Sequence, residues 1–180
     1  MIRALATASA IAIAAAPASA QGFYVDGGYT FFGIDVEDSG SSIDVDLGAI
    51  TGHAGYNIND LFAVEAEVGF GVADEEFSGG GVSTDISLSY LIGAFGKVQY
   101  PVQDNINLFA RAGVVNAELE LEASGGGATF SDSASDTGFG IGVGADAYFG
   151  ERSGLRVDYT RYDIEDLEAD AFSIGYKYRF

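Results

Sequence analysis

The chain has 180 residues, enough for one domain, and it pairs 48% apolar residues with a formal net charge of −19. It has no cysteine, which excludes a disulfide framework, a thiolate metal site, a thiol nucleophile and a lipidated N-terminal cysteine. Its 27 acidic residues against 8 basic ones argue against nucleic-acid binding and against docking on an anionic membrane through basic side chains.

In chain order, the first element is a targeting segment. Arg3 is the only early charge, "ALATASAIAIAAA" is a short apolar core, and Pro17 precedes the small-x-small site "ASA" before Gln21. That layout predicts a cleavable signal peptide over residues 1–20 and a mature domain over 21–180. Beyond residue 20 no uncharged apolar run is long enough for a membrane-spanning helix.

What recurs instead is alternation with period two. In "FAVEAEVGFGV", Phe62, Val64, Ala66, Val68, Phe70 and Val72 share one face, opposite Glu65 and Glu67. "DISLSYLIGAFGKVQY" places Ile86, Leu88, Tyr90, Ile92, Ala94, Val98 and Tyr100 against Ser87, Ser89, Gly93, Lys97 and Gln99. "TGFGIGVGADAYFG" sets Phe139, Ile141, Val143, Ala145 and Ala147 against glycines and Asp146. Eight strands are predicted, at about 22–34, 43–57, 61–76, 84–100, 106–121, 137–149, 154–165 and 171–180. Short connections at 57–60, 101–105 and 150–154 alternate with longer Gly-, Ser- and acid-rich loops near 35–42, 77–83, 122–136 and 166–170. This is an all-β, antiparallel up-and-down meander.

The apolar face carries no charge over about ten residues and ends in aromatics such as Tyr56, Phe62, Tyr100 and Phe149 beside the short connections. Lipid demands that arrangement, because backbone groups must be paired in a closed barrel whose outside is apolar between aromatic girdles. The strands are also longer than the roughly five or six residues usual in soluble sheets. The final "AFSIGYKYRF" places Phe172, Ile174, Tyr176, Tyr178 and Phe180 toward lipid. With "FYVDGGYTFF" and "GYNINDLFAVEAEVGF", residues 22–180 resemble the OmpA/OmpX-type small outer-membrane barrels. The resemblance implies an eight-stranded transmembrane β-barrel, exported through the periplasm to the Gram-negative outer membrane and handled by the barrel-assembly machinery. It also implies that Tyr176, Tyr178 and Phe180 act as the assembly signal. No peptidoglycan-binding domain follows the barrel, so a wall-anchoring role is not implied.

Inward parity collects Asp26, Glu65, Glu67, Asp146 and Asp158 with Lys97, Arg111, Arg156, Lys177 and Arg179. In a barrel of this size the lumen is just wide enough for side chains to fill it, and charges sealed there need partners. The set reads either as a structural salt-bridge plug or as a gated ion path. Glu65 and Glu67 could be an acid–base pair, but neighbouring inward positions point into different layers of a filled lumen, out of a substrate's reach. His53 is the only histidine, which excludes a multi-histidine metal site. It lies near the periplasmic end, the wrong end for the hydrolytic trio of lipid-modifying barrels, so an inward or interfacial structural histidine is expected.

Two motifs mislead. "GIGVGA" imitates a dinucleotide fingerprint, but a strand continues where that motif needs a helix, so its alternating glycines are expected to make room inside for a large side chain, Tyr or Arg. "DVEDSGSSIDVD" lacks the spacing of a calcium-binding helix–loop–helix. The long connections and their flanks, about 35–46, 74–85, 118–136 and 163–170, hold 19 of the 27 carboxylates. They suit solvation, or weak divalent cations bridging to lipopolysaccharide phosphates, and Arg161 is placed to meet such a phosphate. The expectation is a non-enzymatic outer-membrane barrel with no cofactor and a structural or surface-interaction role. Its partners would be outer-membrane lipids and lipopolysaccharide; the competing readings are a low-conductance pore for ions or very small solutes and, third, a lipid-modifying enzyme.

Overall fold

In a computed structural model, the described residues are 22–38, 41–73, 75–79, 82–125, 128–164 and 167–180; of the side chains in strands, those of 34–46, 73–86, 121–131 and 165–167 lie outside the description. The expected signal peptide, residues 1–20, also lies outside it. Eight strands follow one another: β1 (Phe23–Asp38), β2 (Ser41–Asn57), β3 in two segments (Phe62–Ala73 and Glu75–Gly79), β4 (Val82–Gln103), β5 (Ile106–Gly125), β6 (Ala128–Tyr148), β7 (Ser153–Ile164) and β8 (Leu167–Arg179). Each pairs antiparallel with the next, and β8 returns to β1, with Tyr24 opposite Arg179 and Asp35 opposite Glu168. The sheet is therefore a closed barrel, and the Phe180 amide donates to the Phe23 carbonyl at 3.0 Å across the seam. Among the described residues no helix is long and apolar enough to cross a membrane; the crossing is made by strands.

Polarity is inverted relative to a soluble protein. Phe139 is 71% exposed and Ile141 66%, whereas Lys97 is 1% and Arg156 2% exposed. Along β7, Gly154, Arg156, Asp158, Thr160, Tyr162 and Ile164 are buried in strict alternation. Only a barrel with lipid outside and a packed interior makes that pattern favourable, because it satisfies every ladder hydrogen bond while hiding the charges. Aromatics gather at the end carrying the short turns. Phe23 stacks on Tyr56 at 4.7 Å, Phe149 approaches Tyr176 at 6.3 Å, and Tyr178 meets Phe180 edge-on at 5.2 Å.

Three features depart from the sequence expectation. Much of the expected loop sequence is strand: β5 and β6 stay paired up to Gly125 opposite Ala128, and β3 and β4 up to Gly79 opposite Val82. Polar, glycine-rich sequence does not forbid a ladder, although it removes the alternation that reveals one. The expected turn over 101–105 shrinks to Asp104–Asn105, because Pro101 lies within β4 beside a register shift. A second shift between Leu88 and Tyr90 reverses parity, so Leu88 points inward and is 8% exposed, against its expected lipid-facing place. Leu88→Val should therefore cost about 1 kcal/mol in unfolding free energy, the worth of a buried methylene. Ile92→Val, on the lipid face, should cost little, because lipid is as apolar as the side chain it meets. Equal losses in the two variants would remove the bulge from this position.

Candidate functional site

The lumen is filled in layers, each supplied by alternate residues of several strands. Nearest the short turns, Tyr24 of β1 donates its hydroxyl to Glu65 Oε1 at 2.6 Å. Lys97 of β4 bridges Glu65 Oε1 at 3.2 Å and Asp146 Oδ2 at 3.1 Å, and Lys177 of β8 reaches the same Asp146 oxygen at 2.8 Å. Above them Arg156 of β7 donates to Glu65 through both terminal nitrogens, at 2.7 and 3.2 Å. It also contacts Asp26 at 3.2 Å and Asp158 at 3.1 Å. The next layer centres on Arg111 of β5, which binds Glu67 Oε2 at 2.9 Å, Asp158 Oδ1 at 3.3 Å and Thr160 Oγ1 at 2.8 Å. Tyr162 completes Glu67 by donating to Oε1 at 2.7 Å.

His53 joins this layer. Its Nδ1 lies 2.5 Å from Asp26 and its Nε2 3.0 Å from Arg111 Nη1. Nε2 also lies 3.5 Å from Glu67 Oε1, so the ring sits between two carboxylates. Further along the axis, Thr30 bonds Thr51 at 2.6 Å and Ser173 at 2.8 Å. Beyond these hydroxyls the lumen turns apolar, with Phe32, Leu47, Leu88, Leu91, Phe95, Val115, Tyr162 and Ile164 forming one buried cluster.

Nine of the ten residues anticipated for the lumen are brought together: Asp26, Glu65, Glu67, Asp146, Asp158, Lys97, Arg111, Arg156 and Lys177. Arg179 is a correction. Its parity is inward, but it lies at the strand's end, where its guanidinium sits 3.6 Å from the centre of the Tyr148 ring and donates to the Glu151 carbonyl at 3.0 Å. Its proximity to the turn at 150–152 was the warning sign. His53 takes the place left open as the fifth basic group.

The inward aromatics were missed, because aromatic residues in such a barrel are first assigned to the girdles. Lys97 lies 3.9 Å above the Phe109 ring centre, Arg156 4.5 Å above the same ring, and Arg111 4.5 Å above Phe95. Cation–π contact supplements the carboxylates around these buried cations. The glycines of "GIGVGA" make room for these rings. A Cβ at Gly144 would come within 2.4 Å of Phe109, and one at Gly140 within 2.8 Å of Phe95 and 3.2 Å of Tyr162. The guests are thus chiefly two phenylalanines rather than the expected Tyr or Arg.

On the outer surface, Arg161 is engaged within the chain by Glu168 and by Asp170 at 3.6 Å, and Tyr159 donates to Asp170 at 2.6 Å. Tyr176 shares a hydrogen bond with Ser153 at 2.8 Å, and Arg152 reaches the Tyr178 hydroxyl at 3.4 Å. The acidic side chains at 35–46 and 74–85, proposed above for divalent cations, fall outside the described side chains.

A family model described as an outer membrane protein beta-barrel domain matches residues 3–180. No curated protein sequence matches the chain. Among solved structures, Ail, the attachment invasion locus protein of Yersinia pestis, superposes with a TM-score of 0.62 at 17% identity, over 89% of this chain and 99% of that one. Neisserial surface protein A superposes with a TM-score of 0.61 at 18% identity, over 89% and 98%. The N-terminal barrel domain of Pseudomonas aeruginosa OprF gives 0.52 at 14% identity, over 88% and 98%.

Proposed function

The chain belongs to the outer membrane protein beta-barrel family and resides in the Gram-negative outer membrane, and from that premise we propose that it is a sealed barrel with a structural and surface-interaction role. One observation carries the reading. The buried ion-pair layers are followed along the axis by a buried apolar cluster, so a permeating ion would have to displace charges and then cross Phe32, Leu91, Phe95 and Tyr162. A gate made only of salt bridges would have no need of that second barrier. Catalysis finds no support in the lumen either, since Glu65 and Glu67 are each occupied by cations and a tyrosine.

The remaining contacts follow from position. The apolar outer face meets membrane lipid, and we assign lipopolysaccharide and bridging divalent cations to the acidic extracellular end. Tyr176, Tyr178 and Phe180, alternate residues at the end of β8, are offered to the barrel-assembly machinery as outward-facing aromatics. Ail has been crystallised with the heparin analogue sucrose octasulfate. A polyanion is a poor ligand for this chain, whose connections are acidic, so its surface partners should differ in charge.

Single-channel recording on the refolded mature chain tests the reading. The expected result is no resolvable current at moderate voltage in molar salt. Discrete, salt-dependent openings would replace the sealed barrel by a low-conductance pore.

A further inference from the structure

One carboxylate of the plug is only half used. Asp146 is 0% exposed, and both of its ammonium partners, Lys97 at 3.1 Å and Lys177 at 2.8 Å, sit on Oδ2. Its other oxygen, Oδ1, has no hydrogen-bond partner among the described residues. Asp26, Glu65, Glu67 and Asp158, by contrast, each have both oxygens engaged. A buried carboxylate oxygen left without a donor is costly, so the exception asks for an occupant.

Two groups beside it have capacity to spare. An ammonium carries three N–H donors, and those of Lys177 meet only Asp146 Oδ2 and the face of the Tyr24 ring, 3.7 Å from the nitrogen. Asn107 of β5 lies directly opposite Asp146 and shares the inward parity of Phe109 and Arg111; its amide makes no side-chain hydrogen bond among the described residues. A metal ion does not suit Oδ1, because two ammonium groups already sit on the same carboxylate and repel it. A proton there would be a donor set among donors. Water fits: it donates to Oδ1, accepts from Lys177, and finds in Asn107 the last of the roughly three hydrogen bonds usual for a buried water.

We propose that Asp146 Oδ1, Lys177 and Asn107 bind one internal water at the periplasmic end of the plug, beneath a lid formed by Tyr148 and Arg179. Both lid residues lie two positions nearer the short turns than Asp146 and Lys177, on the same strands and of the same parity. The Arg179 guanidinium sits 3.6 Å from the Tyr148 ring centre and is tied to the Glu151 carbonyl at 3.0 Å. A Cβ at Gly154, the residue opposite Lys177, would come within 2.9 Å of the Tyr148 ring, so the ring lies across the strand that flanks the site. Arg179 misses the ion-pair layers but closes them off from the periplasm.

Such a site does not depend on whether the barrel conducts. A crystal structure of the refolded mature chain, at a resolution that shows ordered solvent, should place a water within hydrogen-bond distance of both Asp146 Oδ1 and Lys177 Nζ. Oδ1 turned onto a protein donor, or no density beside it, would overturn the site. A peak with several short oxygen contacts would be a metal ion and would overturn the choice of water. Asn107→Leu removes the third partner at a half-buried position, and should lose the water while heat-modified mobility stays that of a folded barrel. A water kept in that variant overturns the part given to Asn107. In solution, Arg179→Ala should speed exchange of the Lys177 ammonium protons with solvent at least tenfold, without loss of the folded mobility. An unchanged exchange rate would overturn the lid.

Discussion

Glu65→Gln will lower the unfolding free energy by about 3–5 kcal/mol, the range typical when one member of a buried ion pair is removed. Glu65 accepts from Tyr24, Lys97 and Arg156, four hydrogen bonds in all, and it is 3% exposed. Glutamine keeps the volume but turns one acceptor into a donor aimed at cations, at a site buried from bulk solvent. Lys97→Met should cost less. Glu65 keeps Arg156, and Asp146 keeps Lys177, so each carboxylate retains one cation. The double variant should lose less than the two single losses combined, because the partners belong to one network. Unfolding midpoints in urea for the three variants measure this, and bilayer currents should stay silent throughout, because the apolar cluster is untouched. A current that rises with Glu65→Gln would show that the ion pairs, not the apolar cluster, close the lumen.

The architecture was legible because lipid imposes an inverted alternation that few other environments produce. Phe62 to Val72 and Phe139 to Ala147 fell on the correct side by parity alone, and parity also gathered five carboxylates and four cations in the lumen. It failed where the period was broken or the residue type was ambiguous. The extra residue at Ser89 moved Leu88 from lipid to lumen, and nothing in "DISLSYLIG" marks a bulge. Tyr24, Phe95, Phe109 and Tyr162 point inward although aromatics are equally at home in the girdles. Their signal lay in glycines on neighbouring strands, such as Gly144 opposite Phe109. Arg179 had the right parity at the wrong height, since parity says which face a side chain takes but not how far along the axis it lies. The part of β6 before Thr137 could not be read as strand, because Asp132 to Asp136 show no alternation and resemble a loop.

The lipid face gives a second large effect. Val143 is 58% exposed on the outer face, between Ala110 of β5 and Tyr159 of β7, and midway along the part of β6 that pairs on both sides. Val143→Arg puts a guanidinium near the bilayer midplane, at a cost of about 2–4 kcal/mol after snorkelling. Ile92→Arg, outward on β4 and 54% exposed, should behave alike. Ser89, inward by simple alternation, is a poor control because it lies at the bulge, so the comparison is with Ala134→Arg on the extracellular part of β6. There the new charge stays in water beside Asp132 and Asp136 and should cost less than about 0.5 kcal/mol, as exposed surface substitutions do. Refolding yield into liposomes and urea midpoints report both, and the first two variants should also lose outer-membrane abundance in cells. If Ala134→Arg proved as damaging as Val143→Arg, the boundary between bilayer and water along β6 would not lie between these residues. The part of β6 above it would then be lipid-covered rather than exposed to water.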